Sequence, residues 1–79
     1  MLLPAKHIRL AESIIGLSGF VLEKLNKPKT VDLLWKELRH ASENNEYPAY
    51  HSMENLLLSI DFLFLLDLVK LNENGEVFR

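Results

Sequence analysis

Three helical patterns followed by one hairpin signal predict a mainly α fold with a small C-terminal β-hairpin, as in a winged helix-turn-helix. Apolar residues recur at three- and four-residue spacing in three separate segments, which is the period of an amphipathic helix. Asn74 and Gly75 then separate two short segments, and Asn-Gly is a strong hairpin signal. We therefore expect residues 1–79 to form a single winged-helix-like domain of three helices plus a wing.

The first helix is predicted over residues 10–25, because one of its faces is continuously apolar. Pro28 follows closely, and proline disfavours helix in the residue before it, so the helix should end near Leu25. Gly16 and Gly19 lie off the apolar face, although each costs roughly 1 kcal/mol relative to alanine. Either the helix tolerates them, or they form a smooth strip that another helix can approach. The apolar face comprises Leu10, Ile14, Leu17, Val21 and Leu25, widened by Ile15 and Leu22.

The second and third helices each begin after a residue that suits an N-cap. Thr30 and Ser52 carry hydroxyls that can accept a bond from a free backbone N–H of the first turn. Asp32 lies where the helix dipole stabilises a negative charge. Residues 43–50, around Pro48, are predicted to be a polar loop. The apolar face of the second helix comprises Val31, Leu34, Trp35, Leu38 and Ala41.

The segment over residues 53–69 has more apolar surface than a chain of 79 residues can bury for itself. Domains of this size bury only about 60% of their unfolded surface. We expect one stripe to face the core, with Glu54, Asn55, Ser59 and Asp61 marking its borders, and the second stripe to bind a partner. The inner stripe comprises Met53, Leu57, Ile60, Phe64 and Leu68, flanked by Leu56 and Leu63. The outer stripe comprises Leu58, Phe62, Leu65 and Val69, with Leu66 beside it.

The C-terminal hairpin is predicted to pair residues 70–73 with residues 76–79. A two-residue type I′ turn would place both Asn74 and Gly75 at positive φ. In that register Leu71 faces Phe78 across the ladder.

The charge distribution argues against a DNA-reading third helix. Such a helix presents Arg, Lys, Asn or Gln to base edges, with further cations on phosphates. Between Arg39 and Lys70 every charged side chain is acidic, so this half is either simply solvated or docks on a basic surface. We expect no direct sequence-specific DNA binding. The best candidates for any DNA contact are Lys24, Lys27 and Lys29.

Catalytic and metal-binding motifs are missing from the sequence. It contains no glycine-rich phosphate loop, no His-x-x-x-His pair and no nucleophile elbow. His7, His40 and His51 are scattered, and the absence of cysteine rules out disulfides and thiolate metal sites. We expect neither catalysis nor a cofactor or metal. The lack of a leader pattern and of a long uncharged apolar run predicts a cytoplasmic protein that does not contact membranes.

Four segments together resemble the middle component 6 family of bacterial ABC-three-component systems. The opening Pro-x-Lys-His-Ile and the Thr-Val-Asp-x-Leu-Trp segment are the most particular parts, and the resemblance extends over nearly the whole chain. The segments are Leu3-Pro4-Ala5-Lys6-His7-Ile8, Glu12-Ser13-Ile14-Ile15-Gly16-Leu17, Lys29-Thr30-Val31-Asp32-Leu33-Leu34-Trp35 and Leu58-Ser59-Ile60-Asp61-Phe62-Leu63-Phe64.

The resemblance implies an adaptor without catalysis of its own. In such systems a small middle protein accompanies an SMC/ABC-type ATPase and an effector, often a nuclease, in antiphage defence. The partner-binding residues expected from the sequence are the outer stripe, Leu66 and the two glycines of the first helix. Without its partner, the isolated chain is expected to self-associate as a homodimer about a two-fold axis or to aggregate. The alternative is a small homodimeric winged-helix DNA-binding regulator, which should carry cations on its third helix or wing.

Overall fold

A computed structural model of the chain describes residues 5–44 and 52–79 and shows there three helices and a three-stranded antiparallel sheet. The predicted mainly α fold with a wing-like hairpin is confirmed. Residues 45–50 of the predicted loop lie outside the described residues. The helices are α1 (Ala5–Lys24), α2 (Val31–Glu43) and α3 (Met53–Leu65). The strands are β1 (Lys29–Thr30), β2 (Lys70–Leu71) and β3 (Glu76–Phe78), in the order β1-β3-β2.

Both predicted N-caps are confirmed. The Thr30 hydroxyl accepts a hydrogen bond of 3.1 Å from the backbone N–H of Leu33. The Ser52 hydroxyl accepts one of the same length from the N–H of Asn55. Each cap satisfies a donor that the first turn of a helix leaves free, which fixes where α2 and α3 begin.

The core lies between the three helices and the sheet, and α1 and α3 form its most extensive helix contact. The apolar face predicted for α2 is confirmed, with Val31 and Trp35 half-buried at its edge. The face predicted for α1 is only partly buried, since Leu10 and Ile15 are exposed. The buried apolar residues are Leu17, Phe20, Val21, Leu25, Leu34, Leu38, Ala41, Leu56, Ile60, Leu63, Val69 and Val77.

Ser59 determines which side of α3 faces the core. The sequence suggested that this serine borders the buried stripe, but it is fully buried at the contact with α1. Its Oγ lies 2.9 Å from the carbonyl oxygen of Asn55 and 3.3 Å from that of Ile14, so its hydroxyl is satisfied without water. The buried face therefore centres on Leu56, Ser59, Ile60 and Leu63, and the predicted burial of Leu57 (45% exposed) and Leu68 is wrong.

The end of α3 explains why Val69 does not lie on the outer stripe. Asp67 adopts a left-handed conformation, with φ of 59°. The N–H of Asp67 donates to the carbonyl of Phe64, and that of Leu68 donates to the carbonyl of Leu63, both at 3.0 Å. This is a Schellman motif, which ends the helical period. Val69 consequently enters the core at 2% exposure, contrary to the sequence prediction.

The hairpin register differs by one residue from the predicted one. Leu71 pairs with Val77, and Lys70 pairs with Phe78. Gly75 has a φ of 75°, but Asn74 does not have a positive φ, so the turn is not type I′. The side-chain Oδ1 of Asn72 accepts bonds from the N–H groups of Asn74 and Glu76 at 2.9 and 3.0 Å. These bonds favour a three-residue loop in place of the predicted two-residue turn, and the pairing shifts by one residue.

A partly buried ion pair and a terminal arginine connect the sheet to the helices. The ammonium of Lys29 donates to both carboxylate oxygens of Glu37, at 2.7 and 3.1 Å, and the lysine side chain is almost fully buried. Lys29 is therefore not free to bind phosphate, and its predicted role as a DNA-contact candidate is wrong. At the end of β3, the guanidinium of Arg79 donates to the carbonyl oxygen of Leu22 in the last turn of α1, at 3.2 Å.

In the described part of the chain, no helix meets the length and apolarity that a membrane crossing requires.

Substitution at Ser59 tests the close contact between α1 and α3. Ser59→Leu should lower the free energy of unfolding by about 1–3 kcal/mol, because the added carbons must separate two packed helices. Ser59→Ala should cost about 1 kcal/mol or less, since it removes only a hydroxyl. Urea denaturation followed by circular dichroism measures both values. Equal stability of the leucine and alanine variants would contradict the close contact.

Asp67→Gly should raise the free energy of unfolding by about 0.5–1 kcal/mol, because glycine adopts positive φ without a steric penalty. Asn74→Gly is the matched control, because Asn74 has a negative φ. Glycine at this position therefore only increases the conformational entropy of the unfolded chain. Thermal unfolding should therefore show a higher midpoint for the first variant and a lower one for the second. A lower midpoint for Asp67→Gly would contradict the expected relief of steric strain at this turn.

A candidate protein-binding face on α1 and α3

The outer side of α3 carries three apolar residues on one helical face. Leu58 and Phe62 are four residues apart, and Phe62 and Leu65 are three apart, so their side chains are neighbours. Leu58 is 42% exposed and Leu65 is 84% exposed, while Phe62 is half-buried. The exposure predicted for the leucines of the outer stripe is confirmed.

Phe62 joins this surface to α1 across an open apolar groove of about 330 Å³. Ile15, on the α1 side, is 62% exposed, and Leu10 is also exposed. The groove is lined by Leu10, Ala11, Ile14, Ile15 and Phe62. We refer to Leu10, Ile15, Leu58, Phe62 and Leu65 as the apolar face.

Hydrogen bonds at the α1–α3 contact fix the position of the groove. The Ser18 hydroxyl donates to the carbonyl oxygen of Ile14 at 2.7 Å and lies 3.5 Å from that of Ser59. Ser59 reaches the same Ile14 carbonyl from α3, while the Ile14 side chain lines the groove. Because both serines are small and buried, the two helices lie close together and their outer side chains form one surface.

The sequence assigned Leu10 and Ile15 to the core and did not identify them as part of a surface. Ile14 of α1 meets Ser59 of α3, whereas the earlier Leu10 shares the groove with the later Phe62, so the two helices run in opposite directions. Ile15 follows Ile14 by one residue, about 100° further round α1, so it lies at the edge of the α1–α3 contact and stays exposed.

The other residues predicted to bind a partner are the two glycines of α1, Leu66 and Val69, and not all of them lie near this face. Gly19 is exposed, and a Cβ built on it would meet nothing within 4 Å, so no described part of this chain approaches it. It follows Ile15 by one helical turn and therefore borders the apolar face, with Gly16 exposed beside it. Leu66 is exposed just beyond the end of α3. Val69 belongs to the core and is therefore not part of the candidate site.

Exposed carboxylates flank the apolar face on both helices, although the exposed Arg9 adjoins Leu10. On α3, Glu54 and Asp61 lie three or four residues from its exposed leucines. On α1, Glu12 precedes Ile15 by three residues, and Glu23 follows Gly19 by four. Within residues 9–44 and 52–79, Lys29 and Glu37 form the one ion pair, so none of these four carboxylates is neutralised there. We refer to Glu12, Glu23, Glu54 and Asp61 as the acidic rim.

A second groove, between α1 and α2, has mixed charge. It has a volume of about 510 Å³, and the ammonium of Lys24 lies 5.5 Å from the ring centroid of Phe20. Glu37, on its wall, is already paired with Lys29. No group of three potential metal ligands was found in the described residues. The lining residues of this groove are Lys24, Lys36, Glu37, His40 and Ala41.

Comparisons with known proteins identify the family. Searches against curated proteins and solved structures found no match. The model of one protein family, described as ABC-three component (ABC-3C) system Middle Component 6, matches residues 3–79, which is nearly the entire sequence. The resemblance noted from the sequence motifs is thereby confirmed. This chain belongs to the middle component 6 family and is a component of an ABC-three-component system, which implies protein partners.

Proposed function

We propose that this chain is a non-catalytic cytoplasmic adaptor of its three-component system. In this proposal it binds an SMC/ABC-type ATPase and couples that ATPase to an effector such as a nuclease, in defence against phage. The observation that carries the proposal is the apolar face, which combines the most exposed leucine of the core helices with an open groove. Family membership supports it, because a middle component works within a larger assembly.

The energetics of the apolar face favour a protein partner. Fully burying one leucine or isoleucine side chain contributes about 1.5–3 kcal/mol. Because Leu65, Leu58 and Ile15 are 84%, 42% and 62% exposed, burying all three would contribute about twice that amount, although association also costs rotational and translational freedom. Soluble monomers rarely expose such contiguous apolar surfaces without a binding role. We therefore expect these three residues to be the energetic centre of an interface.

The same surface fits DNA poorly. In a DNA-binding winged helix, the third helix enters the major groove and presents polar side chains to base edges. Here α3 presents leucines together with Glu54 and Asp61, and it contains neither lysine nor arginine. Phosphates would be repelled by the carboxylates, and the leucines would remain in water. These properties favour the adaptor over the DNA-binding regulator.

A pair of substitutions on α3 separates binding from folding. Leu65→Asp should abolish co-purification with the ATPase partner but leave thermal stability nearly unchanged, because Leu65 is largely exposed. Leu63→Ala, two residues away and 1% exposed, should instead lower stability by about 2–5 kcal/mol. Leu33→Asp is the matched surface control, since it also replaces an exposed leucine and lies in the first turn of α2, where a negative charge is favourable.

The measurements are thermal melts of each variant and pull-downs from cells that co-express the three components. Loss of the complex with Leu33→Asp as well as Leu65→Asp would indicate a general effect of the added charge. Retention of the complex with Leu65→Asp would contradict the proposed interface.

The isolated chain should bind DNA with a dissociation constant weaker than about 10⁻⁴ M at physiological salt, the weak limit of ordinary non-specific binding. Fluorescence anisotropy with a labelled duplex measures this value. Lys24→Glu combined with Lys27→Glu tests the remaining basic candidates, since Lys29 is committed to its ion pair. Tight, salt-dependent binding that this double variant removes would favour the DNA-binding regulator.

A further inference from the structure

The acidic rim indicates what kind of partner covers the apolar face. We infer that the occupant is an amphipathic helix of a partner protein, with one apolar ridge flanked by lysine or arginine residues. This inference rests on the proposed adaptor function and adds the chemistry of the bound segment. It is carried by the shape of the groove and by the distribution of charge around it.

The shape favours a helix as the bound segment. The antiparallel helices α1 and α3 lie side by side, and the open groove between their outer surfaces is apolar. From Leu58 to Leu65, α3 rises by about 10 Å, at roughly 1.5 Å per residue. That length equals about two turns of a partner helix, whose ridge would repeat at three- and four-residue spacing. Helices bind in grooves of this kind through such a ridge.

The charge favours a basic helix over a second copy of this chain. The acidic rim has members on both sides of the apolar face, Glu54 and Asp61 on α3 and Glu12 and Glu23 on α1. A two-fold pairing of two apolar faces would bring acidic rim against acidic rim, because symmetry presents the same surface twice. Lysine or arginine beside a partner's apolar ridge would instead form complementary pairs at the edge of the interface.

Two synthetic 18-residue helical peptides test the inference directly. They share one leucine ridge, and lysine flanks the ridge in the first whereas glutamate flanks it in the second. Fluorescence anisotropy with the full chain should show at least 10-fold tighter binding of the lysine peptide, weakening as salt increases. Leu65→Asp should abolish this binding, and Leu33→Asp should not change it.

The rim itself is tested by removing its charge. Glu54→Gln combined with Asp61→Asn should weaken binding of the lysine peptide by about 2- to 5-fold and reduce its salt dependence. Glu73→Gln is the control, because it neutralises an exposed carboxylate in the hairpin loop. It should change the affinity less than the rim variant does.

The outcomes distinguish this inference from the function on which it rests. Equal affinity for the two peptides, or no binding of either, would overturn the basic helix while leaving the adaptor proposal intact if Leu65→Asp still breaks the native complex. A dimer of the isolated chain that Leu65→Asp dissociates would also overturn it, since a second copy would then occupy the face. If Leu65→Asp leaves the native complex assembled, the proposed function fails.

Discussion

The contact of α1 with α3 at two buried serines is the constraint on which the rest of the structure depends. Ser18 and Ser59 are small enough for the helices to approach closely, and their hydroxyls bond to helix carbonyls. A polar residue with satisfied bonds can lie in a core at little cost. The rotation of α3 follows from this contact, since burying Ser59 turns Leu56 and Leu63 inward and Leu58 and Leu65 outward.

The second constraint is the abrupt end of α3. Because Asp67 reverses the chain in a left-handed turn, Val69 can enter the core and β2 can return beside β3. β3 also pairs with β1, whose Lys29 is held by Glu37 of α2. The sheet therefore connects all three helices, although its strands are only two or three residues long.

Local patterns in the sequence were sufficient for the parts of the fold that neighbouring residues determine. The three helices, the N-caps at Thr30 and Ser52 and the exposure of Leu58 and Leu65 could all be predicted. Three features could not, namely the burial of Ser59, the αL turn at Asp67 and the register of the hairpin. From the sequence alone, a serine is assigned to the polar surface, because the hydrogen-bond acceptors that allow its burial are not known. Helical spacing also fails to place residues that follow an unrecognised αL turn. The hairpin register depended on the side chain of Asn72, which competes with the Asn-Gly preference for a two-residue loop.

These misassigned features also account for the composition of the candidate site. The buried serine leaves room for α1 to approach but removes apolar area from the core side of α3, so more leucine remains on the outside. Leu10 and Ile15 remain uncovered on α1, at the edge of its contact with α3. A domain of this size gains little stability from its core and loses some of that gain by exposing so much apolar surface. Exposing it on two adjacent helices, between carboxylates that form no ion pair with any described residue, is what we expect of a surface that is completed only when a basic, apolar partner binds.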